Sequence, residues 1–90
     1  MALTDAAEVD GTLRAVLADV LGLDSARVAR FNEATPLFGE LPEFDSLAVA
    51  GLLTELEERL GILIEDHEVD ADMMATYGSL LTFARSKTLR

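Results

Sequence analysis

The chain has 90 residues, with 17 acidic side chains against seven basic ones and a formal net charge of −10. That balance repels phosphate backbones and anionic lipid, which excludes nucleic acid as a partner and steers the protein toward basic patches on other proteins. No apolar run approaches the roughly 20 residues that span a bilayer, and the lack of cysteine excludes a disulfide framework, a thiolate nucleophile and a Cys-type zinc site.

Residues 1–90 read as one domain of a size that buries about three fifths of the surface its unfolded chain exposes. Half the residues are hydrophobic, yet there are four Phe, one Tyr and no Trp, so the core is one of Leu, Val, Ile, Ala and Met and suits helices. Met1-Ala2-Leu3 runs into Asp5 and Glu8 rather than into a basic, then apolar, leader, and the expectation is a cytoplasmic monomer.

A first helix is expected over about 4–21, capped by Thr4, with Val9, Leu13, Val16, Leu17 and Val20 on one face and Gly22 as its stop. Asp24 to Val28 can form a short turn of helix. The long connection that follows holds both prolines, Pro36 and Pro42, so no helix runs through it. Val28, Phe31, Leu37, Phe38 and Leu41 are read as pins that hold this connection to the core.

A second helix is expected over about 46–60, where Val49, Leu52, Leu53, Leu56 and Leu60 recur at steps of three and four, and it closes at Gly61. Ile62-Leu63-Ile64 follows as an apolar plug. The acids from Glu65 to Asp72 resemble a calcium loop, but Ala71 stands where its glycine is needed and Tyr77 where its bidentate glutamate is needed, so calcium is excluded. A short third helix is expected over about 68–74, with Val69 and Met73 or Met74 turned inward. The last helix is expected over about 77–86, burying Tyr77, Leu80, Leu81, Phe83 and Ala84, with Arg85, Lys87 and Arg90 against the negative end of its dipole.

The chemistry centres on Phe44-Asp45-Ser46-Leu47, where the turn-rich connection gives way to the second helix. Asp45 and Ser46 fall at its cap and first turn, where free N–H groups and the positive dipole end make a seat for a phosphate ester. The plain reading is that both merely cap the helix. Catalysis by Ser46 itself is not supported. The only histidine, His67, lies in a distant loop, and no Gly-x-Ser-x-Gly elbow or Gly-rich phosphate loop is present. With one histidine and scattered carboxylates there is no metal set either. The chain is therefore read as a non-enzyme, with Ser46 a substrate for another enzyme.

Phe44-Asp45-Ser46-Leu47, followed by an amphipathic helix ending Leu56-Glu57-Glu58-Arg59-Leu60-Gly61-Ile62, resembles the acyl carrier proteins. The resemblance implies an all-α, four-helix bundle with a long connection before the second helix and a short third one. It implies a 4′-phosphopantetheine arm, taken from coenzyme A by a phosphopantetheinyl transferase and esterified to Ser46 between Asp45 and Leu47. Acyl groups would ride the arm as thioesters, loaded and used by ligase, synthase or acyltransferase partners that dock on Glu55, Glu57 and Glu58. Ala48 and Gly51 stand where fatty-acid carriers have acids, which points to a dedicated partner. Thr35-Pro36-Leu37-Phe38-Gly39-Glu40-Leu41-Pro42 with Asp45-Ser46-Leu47-Ala48-Val49 is similar to the small carriers associated with exosortase and exopolysaccharide genes. A peptidyl carrier and an unmodified helical adaptor are the alternatives.

Overall fold

The three long α-helices in the computed structural model, which describes residues 6–88, each follow from a run of apolar residues at helical spacing, and a short fourth from a local cap. In chain order these are α1 (Ala6–Leu21), α2 (Ser25–Ala29), α3 (Ser46–Leu60) and α4 (Tyr77–Thr88), with one 3₁₀ turn at Asp66–Glu68. The expected cap at Thr4 and the charge of Arg90 lie outside the described residues. α1 is the hub and packs against α3, α4 and α2. It turns Val9, Leu13, Val16 and Leu17 fully inward, each such burial contributing about 1.5–3 kcal/mol. Leu52, Leu56 and Leu60 of α3 and Tyr77, Leu80, Leu81 and Ala84 of α4 complete the core.

The helix ends are set locally. Asp24 caps α2 by accepting the Ala26 N–H at 3.1 Å. α3 ends at Gly61, whose φ of 65° is left-handed and costs glycine least; its N–H bonds back to the Glu57 carbonyl.

The connection between α2 and α3 is held by four cross-links to the segment before α4 and to the first turn of α4. Leu37 N–H bonds to the Ala75 carbonyl at 2.8 Å and Phe38 N–H to the Met74 carbonyl at 3.0 Å. In return, Tyr77 N–H bonds to the Thr35 carbonyl at 2.9 Å and Gly78 N–H to the Glu33 carbonyl at 3.0 Å. Pro36 and Thr76 form the isolated antiparallel bridge between them. Val28, Phe31 and Leu37 are buried as expected of pins and Leu41 is partly so, but Phe38 is 37% exposed. The bridge explains the difference: neighbouring residues in extended backbone face opposite ways, so burying Leu37 turns Phe38 outward.

The expected third helix over 68–74 is not formed. Helical geometry is limited to the 3₁₀ turn at Asp66–Glu68, followed by turns over 71–74. Asp70 accepts the Met73 N–H at 2.8 Å, a side-chain bond that competes with a helical ladder. The carbonyls of Met74 and Ala75 are meanwhile engaged by the connection. Met74 is still buried, with Val69 and Met73 packed at the edge of the core. The apolar plug is half formed: Ile62 and Ile64 pack on the core, while Leu63 is 68% exposed.

Candidate functional site

Ser46 is the first residue of α3 and is exposed. Asp45 precedes it in extended backbone, and its Oδ1 accepts the Ala48 N–H at 2.9 Å. The Asp45 carbonyl accepts the Val49 N–H at 2.9 Å. The cap therefore uses one of the first-turn N–H groups and leaves those of Ser46 and Leu47 without an acceptor among the described residues. A hydroxyl, two unpaired amides and the positive end of a four-turn helix thus meet at one point of the surface.

The surroundings are rigid and mostly apolar. Leu47 is 82% exposed, the most exposed large hydrophobic side chain among the described residues. Phe44, two residues before Ser46, is buried and meets the Phe38 ring edge-on, with centroids 5.7 Å apart. An open groove lined by Phe38, Leu41, Pro42, Phe44 and Asp45 reaches Ser46. A second groove lies on the α1 side of α3, between Val20 and the small residues Ala48, Ala50 and Gly51; Asp45 and Leu47 line it, but Ser46 does not.

The three candidate docking acids fare differently. Glu55 is paired with Arg59 at 2.8 Å, and Arg59 also reaches Asp19 of α1 at 2.8 Å. Glu57 turns its Oε2 to the Ile64 N–H at 2.9 Å, bracing the chain as it leaves α3. Only Glu58 of the three is exposed with no partner among the described residues. Glu43, passed over in the sequence, lies closer to Ser46 and pairs loosely with Arg27 at 3.4 Å; its position three residues before Ser46 was the available signal. His67 is exposed in the 3₁₀ turn, and no hydrogen bond joins it to Ser46. No group of three or more His, Cys, Asp or Glu among the described residues is placed to hold a metal.

Residues 11–85 match the family model described as the phosphopantetheine attachment site. A holo acyl carrier protein from Nitrosomonas europaea, solved in solution by NMR, has the same fold with a TM-score of 0.77 and 35% identity, over 87% of this chain and 92% of that one. No curated protein matches the chain at a significant level. The chain belongs to the phosphopantetheine-attachment family and is a carrier protein with the acyl carrier fold. Its cofactor is a covalently attached phosphopantetheine, and the mouth of α3 fits that group: an exposed hydroxyl for the ester and two free amides for the phosphate. Membership implies dealings with a phosphopantetheinyl transferase and with biosynthetic enzymes. No described helix is long and apolar enough to cross a membrane.

Proposed function

We propose that Ser46 Oγ is the attachment atom and that the loaded protein carries acyl groups to partner enzymes of a specialised biosynthetic route. The carrying observation is the exposed Ser46 beside the unpaired amides of its own helix mouth. When bound, the arm supplies a terminal thiol, the group this cysteine-free chain lacks, on which an acyl chain is held as a thioester. In the modifying step a partner transferase joins Ser46 Oγ to the pantetheine-bearing phosphorus of coenzyme A; the bond from that phosphorus to the bridging oxygen of the diphosphate breaks, adenosine 3′,5′-bisphosphate leaves, and the serine proton passes to solvent. The protein's own residues present rather than react. Asp45 holds the helix start open by capping Ala48, Phe44 anchors the approach, and α3 keeps the hydroxyl fixed. The chain itself catalyses nothing in this reading and works in the cytoplasm as a monomer, which its small size and charge of −10 support.

Incubation with coenzyme A and a broad-specificity transferase, followed by intact mass, tests the reading. One arm's mass should be gained by the wild type and none by Ser46→Ala; gain by the variant, or none by the wild type, refutes it and leaves a helical adaptor. Loading ligases, synthases or acyltransferases dock on α3 through Glu58 and the expected Glu55 and Glu57, with Glu43 just before the helix adding a further acid. That face carries Leu47, Ala48 and Gly51 between Glu43 and Glu55, and the small residues at 48 and 51, in place of acids there, support a dedicated partner. Turnover by a fatty-acid ketosynthase should fall well below that of a housekeeping carrier, and equal turnover counts against a dedicated partner. Loading by an amino-acid-adenylating ligase in place of an acyl ligase would make this a peptidyl carrier.

A further inference from the structure

The two grooves beside α3 are not equivalent. Ser46 opens into the one floored by Phe38 and Phe44, and it does not line the one between α1 and α3. A group tethered to Ser46 is therefore delivered to the Phe38 side at high local concentration without any binding step of its own.

The Phe38 side is also prepared for an apolar guest. Leu37, beside it, is fully buried and takes the core position here, while Phe38 keeps 37% of its surface exposed. The Phe38 ring nevertheless does not swing freely. Its backbone N–H is tied to the Met74 carbonyl at 3.0 Å, and its ring abuts the buried Phe44 ring at an interplanar angle of 83°. Gly39, with φ at 95°, follows at once and adds no side chain to cover it. An aromatic held in place and left partly bare loses little conformational freedom when it is covered. The groove has a charge pattern as well. Glu40 and Asp45 are on its lining and repel a phosphate, while at its Ser46 end the helix mouth, with the Ser46 amide unengaged among the described residues, attracts one.

We propose that the phosphopantetheine arm rests in this groove, its phosphate kept at the mouth of α3 and its uncharged, dimethyl-bearing portion laid over the ring of Phe38, which is a positioning residue for the arm. The proposal rests on attachment at Ser46. The arm then leaves the α1–α3 groove clear, so a partner can engage Leu47, Ala48 and Gly51 without displacing it.

The test uses the loaded full chain. Intact mass first establishes complete loading and its loss in Ser46→Ala, which decides the attachment by itself. Isotope-filtered NMR on labelled protein carrying an unlabelled arm then reads the contact. Cross-peaks are expected between the arm's geminal methyls and the Phe38 ring, with amide shifts changing at Phe38, Gly39 and Leu41 between unloaded and loaded protein. Phe38→Ala should lose the cross-peaks, and Leu47→Ala should keep them. If Phe38→Ala disturbs the connection, the unloaded spectrum shows it at Leu37 and Phe44, and the wild-type cross-peaks decide alone. Full loading without contacts to Phe38, or shift changes running along Leu47, Gly51 and Thr54 instead, overturns the proposal.

Discussion

Asp45 closes the mouth of α3 with a single side-chain bond to the Ala48 N–H. Asp45→Ala should cost about 1 kcal/mol in thermal unfolding of the unloaded protein, and Asp45→Asn, which can still accept that bond, much less. A larger interaction lies at the far side of the molecule, where the Tyr77 hydroxyl donates to the Asp10 carboxylate. Arg14 binds both Asp10 oxygens, stacks 4.5 Å from the Tyr77 ring centroid, and donates to the carbonyls of Val28 and Phe31 at 2.7 and 3.1 Å. Burial works to raise the Asp10 pKa, but hydrogen bonds from Tyr77 and Arg14 and the charges of Arg14 and Arg85 together hold it below its ordinary 3.8. A depressed carboxyl contributes stability that is complete above its unfolded pKa and disappears as pH falls through the lower folded one. For Tyr77, burial, then the bond to Asp10 and its charge, raise the phenol well above its ordinary 10.0. That contribution is complete below the unfolded pKa and is lost as pH rises toward the folded one. Tyr77 is the only tyrosine, so phenolate absorbance reads it directly; ionisation should be delayed until the protein unfolds. Tyr77→Phe should cost about 1.5–3 kcal/mol in urea at neutral pH, the range for a bond to a charged group.

At the scale of elements, two helical glycines are expected to respond in opposite directions. In α3, a Cβ on Gly51 would meet only the Val20 Cγ1, at 3.4 Å, an ordinary contact. Gly51→Ala should therefore stabilise the protein by up to about 1 kcal/mol through helix propensity alone. In α4, a Cβ on Gly78 would lie 2.7 Å from the Glu33 carbonyl oxygen and 3.0 Å from its Cα. Backbone cannot swing aside as a flexible side chain can, so Gly78→Ala should destabilise by about 1–3 kcal/mol, read by the same melts. If the α1–α3 groove serves a partner, loaded Gly51→Ala should lose turnover with an enzyme that docks there while gaining stability. The three long helices were legible because each carries a sustained apolar stripe over three or more turns: about 4–21 was expected against Ala6–Leu21, 46–60 against Ser46–Leu60, and 77–86 against Tyr77–Thr88. The stretch over 68–74 was not, because its weak stripe loses to the Asp70 side chain and to the bonds drawn by residues 37 and 38.

For the whole molecule, a charge of −10 is confined to a body 31 × 29 × 21 Å across. At 0.01 M salt the screening length of about 30 Å spans that body, and near 0.1 M it falls to about 10 Å. Melting temperature should rise over that range as self-repulsion is screened, because the exposed ion pairs lost in return contribute little each. Association with a basic partner should slow over the same range. Composition and periodicity were enough to determine that the chain is a helical bundle, and the string Phe44-Asp45-Ser46-Leu47 to place a serine at a helix mouth, since caps, stripes and charge are local properties written in consecutive residues. Tertiary structure alone decided that Phe38 faces solvent, that Glu57 braces Ile64 rather than standing free, and that Ser46 opens toward one groove and not the other. Those outcomes depend on the bridge at Pro36 and Thr76 and on the fit of α3 against α1, where segments far apart in the chain compete for the same hydrogen bonds and the same space.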